Sequence, residues 1–166
     1  MKSKDNVKNS DMIIDNELNY IRDLFDRIRR DTKIIKVISL KNLYDQSKNT
    51  SLPTKKRVEI LVDALLTGTS YEEYLTSRKV RFMRVKSKGD ALLKRRQQRL
   101  QDDEFFKMRK IDQKTRIESS NLELTLLLDE IKTYIEIVNT SLEYIRSACF
   151  NIKSTIATFR EYLADD

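Results

Sequence analysis

Three observations in the sequence predict an all-α protein. Glycine and proline occupy only Gly68, Gly89 and Pro53 in 166 residues, too few turn-formers for a sheet. Charged residues make up 36% of the chain, the balance that long, solvated helices carry. The last third repeats apolar residues at alternating steps of four and three, which lines one helix face. The expected architecture is an oligomerising helical hairpin, made of a long basic helix and a C-terminal heptad helix, with an N-terminal helical extension. Residues 1–9 are expected as a disordered polar tail, 10–68 as the extension and 69–166 as the basic helix plus the oligomerisation helix, all forming one compact unit.

The elements follow in order. Ile14, Leu18, Ile21, Phe25 and Ile28 recur at steps of four and three and predict an amphipathic helix. The run from Lys33 to Leu40 is rich in β-branched residues, but no partner strand exists elsewhere, so helix or an irregular packing segment is expected. Asp45 to Pro53 reads as a loop. From about Thr54 a helix carries Val58, Leu61, Val62, Leu65 and Leu66, and Gly68 is expected to end it, as glycine does where a left-handed residue follows a helix. Ser70 with Glu73 reads as a capping box that starts the next helix.

That next helix carries the charge. Between residues 78 and 99 stand Arg78, Lys79, Arg81, Arg84, Lys86, Lys88, Lys94, Arg95, Arg96 and Arg99, ten cations against the single acid Asp90. The whole chain has net charge +7, so the remainder is slightly acidic and the excess is a patch. Clustered Lys and Arg attract phosphates by displacing condensed counterions. A solvated helix face is the plainer meaning of a charge run, but the asymmetry favours a polyanion site. A membrane surface would need a broad apolar face opposite the charge, and only Phe82, Val85, Leu92 and Leu93 are on offer, which a core would claim. After the acidic stretch 102–104, aromatic and cationic residues alternate from Phe105 to Lys110, either to stack on unpaired bases or to pack the hairpin.

The last third forms a heptad seam. Leu128, Ile135, Leu142, Cys149, Ile156 and Leu163 fall at a, and Leu124, Ile131, Val138, Ile145, Ile152 and Phe159 at d. Branched residues at d disfavour two-stranded coils, and the uncharged g flank (Leu127, Tyr134, Ser141, Ala148, Thr155, Tyr162) widens the apolar face. Leu128, Ile131, Ile135, Val138, Leu142, Ile145, Cys149, Ile152, Ile156 and Phe159 are therefore the expected oligomerisation residues. The alternative is packing of this helix on the basic helix within one chain.

Several classes of chemistry lack their residues. The chain has no histidine and one cysteine, Cys149, so neither a zinc site nor an internal disulfide can be assembled. A glycine-rich phosphate loop and a nucleophile elbow are missing from the sequence, and no cofactor or catalysis is expected. The polar N-terminus lacks a signal core and no run is apolar enough to span a membrane, so a cytoplasmic protein is expected, in a bacterial host's cytoplasm if viral.

Residues 71–160 carry a family resemblance in three pieces. Tyr71-Glu-Glu-Tyr74-Leu75 opens the basic helix, which runs to Arg99-Leu100; Asp103-Glu104-Phe105 follows; and Leu142-Glu-Tyr-Ile145-Arg146-Ser147 leads into Phe150-Asn-Ile152-Lys153, with Leu122 and Leu124 in step upstream. Together they resemble the UvsY-type recombination mediators of large tailed bacteriophages. The resemblance implies a ring-like homo-oligomer that binds single-stranded DNA and helps load a RecA-type recombinase onto DNA coated with single-strand-binding protein. It implies a DNA contact at Arg99, whereas the family's companion lysine falls on Gln97; the glycine-rich connector is missing and residues 11–68 are an extension.

Two other functions compete. Ala64-Leu-Leu-Thr-Gly68-Thr-Ser70 also reads as a helix-turn-helix, with an Arg-rich third helix from Arg81 reading duplex DNA, as in a small terminase subunit or a repressor. A coiled-coil scaffold with an acidic protein partner is the third.

Overall fold

Five helices follow one another along the chain: α1 (Ser3–Asp31), α2 (Val37–Ser47), α3 (Thr54–Arg99), α4 (Asp103–Lys107) and α5 (Lys110–Ala164). They are seen in a computed structural model that describes the backbone of residues 3–33, 37–101 and 103–164, and the side chains of 16–33, 40–101 and 104–161. Every regular element among the described residues is helical, as the scarcity of turn residues required. α1 takes in Ser3 to Asn9, expected as a disordered tail; Met1 and Lys2 lie outside the described residues, as do Ile34 to Lys36 of the β-branched run. The rest of that run enters α2.

The chain divides into two units that interleave in sequence. The first is Met1–Asp31 with Arg81–Ile135, the second Thr32–Val80 with Glu136–Asp166. α3 and α5 each contribute one part to either unit.

In the first unit α1 runs parallel to α5, with Arg22 paired to Glu123 at 2.5 Å and Arg29 to Glu130 at 2.6 Å. It runs antiparallel to α3, with Tyr20 beside Lys88 and Phe25 beside Phe82. The core comprises Leu18, Ile21, Phe25 and Ile28 of α1, Phe82, Val85 and Leu92 of α3, and Leu124, Leu127, Leu128 and Ile131 of α5. Phe25, Phe82 and Tyr134 meet with ring centroids 5.6 to 5.9 Å apart, the separation at which edge and face attract. In the same unit Phe105 of α4 is buried while Phe106 is 65% exposed, so the two phenylalanines split between packing and surface.

In the second unit Leu61 and Ala64 of α3 pack on Ile152 and Ile156 of α5, flanked by Leu43, Tyr44, Val62, Leu65 and Phe159. Arg57 donates from Nε to the Ser47 carbonyl at 2.7 Å and lays its guanidinium 4.6 Å over the Phe159 ring. It thereby ties the start of α3 to the end of α2, across a turn in which the Asn49 side chain accepts the Ser51 N–H at 3.0 Å. Tyr71 and Tyr74 stack at 5.8 Å, and their hydroxyls hold the backbone of Lys33: Tyr71 donates to its carbonyl, and Tyr74 accepts its N–H at 3.1 Å. The tyrosine pair at 71 and 74 therefore anchors the backbone at Lys33.

Two expectations are corrected here. α3 does not end at Gly68, and Ser70 caps nothing, since both lie inside a 46-residue helix and no glycine has positive φ among the described residues. The reason is packing: a Cβ on Gly68 would stand 2.5 Å from Cys149 Sγ, and one on Gly89 would stand 2.6 Å from Leu128 Cδ2. Each glycine lets α3 approach α5 closely within its own unit. The seam of α5, expected to join subunits, is instead filled from within the chain: Ile131, Val138, Leu142, Ile145, Cys149, Ile152 and Ile156 are buried, Leu128 sits against Gly89, and Ile135 and Phe159 are half-buried. This burial is the packing that the intrachain alternative describes.

Candidate nucleic-acid interface

The ten cations do not share one face. Arg78 and Lys79 belong to the second unit and are half-buried; the Arg78 guanidinium lies 5.0 Å over the Tyr74 ring, and its Nη1 is buried without a hydrogen-bond partner. Arg96, in the first unit, lies on the inward row of α3 one turn after Leu92, and is half-buried. Those positions follow from the helix itself, because a row at steps of three and four from Leu75 through Phe82, Val85, Gly89 and Leu92 passes through residues 78 and 96.

The remaining cations of the first unit face solvent in two groups. Arg81, Arg84, Lys88, Arg95 and Arg99 are exposed and fall at steps of three, four, seven and four, which sets them along one outward row of α3. Ala91 occupies the row position between Lys88 and Arg95. Lys86 lies on the other side of the helix, paired with Asp90 at 2.7 Å, and Lys94 is exposed near it.

Counter-charges are uneven along the row. Arg95 meets Glu17 of α1 through two nitrogens, at 3.1 and 2.9 Å, a forked pair that holds the guanidinium in one plane. Lys88 donates to the Tyr20 hydroxyl at 3.4 Å and stands 5.0 Å from the centre of its ring. Arg81 and Arg84, together with Lys94 beyond the row, have no ion pair among the described residues. The row is thus a line of charge with its unpaired cations at the Arg81 end.

Sequence reasoning missed Tyr20. It falls among the polar positions of α1, yet it is 56% exposed beside Lys88. The signal was available, since an aromatic outside the Leu18, Ile21, Phe25 and Ile28 stripe has no core to enter. No group of His, Cys, Asp and Glu among the described residues is arranged to hold a metal ion, and no helix is long and apolar enough to cross a membrane.

Comparison of the chain with protein-family models, curated proteins and solved structures returns no match.

Proposed function

We propose that the protein binds single-stranded nucleic acid along the outward cation row of α3 and performs no catalysis. The observation that carries this reading is the row itself: Arg81, Arg84, Lys88, Arg95 and Arg99 exposed on one face, with no acid at any exposed position between them along it. Such a row tracks a phosphate backbone without reading sequence. Exposed Tyr20 beside Lys88 favours an unpaired strand, because a flat ring among cations gains most from bases that are free to stack.

The helix-turn-helix rival loses its structural basis, since α3 is continuous through Gly68 to Ser70 and through Ser77 to Arg81. The finer role, a mediator that loads a RecA-type recombinase onto strands coated with single-strand-binding protein, rests on the resemblance of residues 71–160. In that role several copies would array their cation rows, so that weak phosphate contacts act together.

The test is a fluorescence-anisotropy titration of labelled single-stranded and duplex oligonucleotides with the full chain and with Arg81→Glu/Arg84→Glu. Tight single-strand binding that the double variant loses, with helicity unchanged, supports the reading. Duplex preference, or unchanged affinity in the variant, overturns it. Salt-dependent capture of an acidic protein with no oligonucleotide affinity would support the scaffold instead.

A further inference from the structure

The cation row has one gap, and the gap is a groove. At Ala91 the long side chains stop, and the space between α1 and α3 opens to 230 Å³, lined by Glu17, Tyr20, Ile21, Lys88, Ala91 and Arg95. We propose that this groove seats one unpaired nucleobase against the Tyr20 ring, with a flanking phosphate on Lys88. The proposal rests on the single-strand reading and says where on the row a base is held.

The chemistry of the lining fits that occupant. Ala91 and Ile21 are aliphatic and small enough in sum to leave the space open, so they suit the flat apolar face of a base. Tyr20 supplies an exposed aromatic surface whose electron-rich face already attracts Lys88 Nζ, at 5.0 Å from the centroid. Lys88 and Arg95 stand two turns apart on either side of Ala91, about 10 Å along the axis, so they bound the groove at its two ends, Lys88 with a charge able to meet a phosphate and Arg95 with a guanidinium already held by Glu17. Glu17 takes both outer nitrogens of Arg95 and so holds a planar group at the far wall. A base within a duplex is stacked on both faces and cannot enter, which makes the groove selective for unpaired strands.

The experiment separates this groove from the wider reading by comparing two probes of equal charge: a labelled cytosine oligonucleotide of about twenty residues and an abasic oligonucleotide of the same length. The full chain is expected to bind the base-bearing probe about tenfold more tightly or better, since base–aromatic stacking is of that order. Tyr20→Ala should bring the two affinities together by weakening only the base-bearing probe, while Tyr20→Phe, which keeps the ring, retains most of the difference. Ala91→Leu, a strong helix former at an exposed position, fills the groove and should act like Tyr20→Ala without touching the ring. Equal affinity of the unaltered chain for the two probes, or a difference that survives both Tyr20→Ala and Ala91→Leu, overturns the groove while leaving the cation row standing. Binding of neither probe overturns the single-strand reading, and the groove with it.

Discussion

Neutralising Arg81 and Arg84 together gives the sharpest test of how the row works. Each phosphate neutralised on a single strand contributes about 0.7 to the slope of log affinity against log salt. Arg81 and Arg84 have no ion pair among the described residues, whereas Arg95 already faces Glu17 at 2.9 Å, so those two with Lys88 should dominate the slope. Those three give roughly −2, and Arg81→Gln/Arg84→Gln should bring it to roughly −0.7. Between about 50 and 200 mM salt the unaltered chain would then lose roughly 20-fold in affinity and the variant only about 3-fold. The control deletes a compensated pair at constant net charge: Lys86→Gln with Asp90→Asn removes an interaction of 2.7 Å and should leave the slope within about 0.3 of its starting value. The assay is anisotropy at four or more salt concentrations, with circular dichroism to verify helicity. A slope unchanged in the Arg81/Arg84 variant, or one that falls as far in the control, refutes the idea that unpaired cations on this face make the phosphate contacts.

Three further outcomes concern the scaffold. Gly68→Ala should gain about 1 kcal/mol of helix propensity but lose about 1–3 kcal/mol to overpacking, because its Cβ would meet Cys149 Sγ at 2.5 Å. A denaturant titration should therefore show net destabilisation in the unaltered chain but stabilisation by about 1 kcal/mol in a Cys149→Ala background, and additive effects would contradict the close approach. Ile145→Asp puts a charge at a fully buried position and should cost more than about 4 kcal/mol, seen as lost helicity; a folded variant altered only in its sedimentation would return the seam to an intermolecular role. Burial, with the Glu72 carboxylate adding and Lys153 opposing, raises the Cys149 thiol above its ordinary value of 9.0. A raised folded value means that its contribution to stability is complete below that ordinary value and is lost as pH rises through the raised one. The stability difference between the unaltered chain and Cys149→Ala should accordingly shrink on moving from neutral to strongly alkaline pH, and a constant difference would mean that the thiol is equally acidic unfolded.

Periodicity made the helices of α1 and α5 legible, because Leu18 to Ile28 and Leu124 to Ile156 repeat on one face without interruption. It does not carry across Gly68, because a glycine between two apolar runs has the same appearance as a helix stop. Counted as a small core residue instead, Gly68 extends the row Leu61, Ala64, Tyr71 and Leu75, and Gly89 extends Phe82, Val85 and Leu92. The two glycines lie 21 residues apart, three heptads, and that spacing would have marked one uninterrupted helix. The candidate site was half legible. Charge density pointed to α3, but only the helix phase shows that Arg78 and Arg96 turn inward while Arg81 and Arg84 turn outward. The partners Glu17 and Tyr20 come from some 70 residues away, a pairing that periodicity within one segment cannot reveal. The destination of the α5 seam was not decidable either, since a heptad pattern is the same whether its partner is another chain or another helix of its own.

The interleaving of the two units constrains how the protein is made. Each unit joins an early stretch of chain to a late one, the first needing residues up to Ile135 and the second needing the stretch from Glu136 onward. A chain growing from its N-terminus will have produced α1, α2 and α3 before any of α5 exists to cover the sides of their apolar rows that face it, Leu61 among them. The first unit cannot close before Ile135 is made and the second needs the stretch from Glu136 onward, so the nascent chain carries the apolar rows of α1 to α3 without their α5 partner until that helix is synthesised. During that interval the exposed rows are where a chaperone would bind and where a premature stop would leave an aggregating fragment.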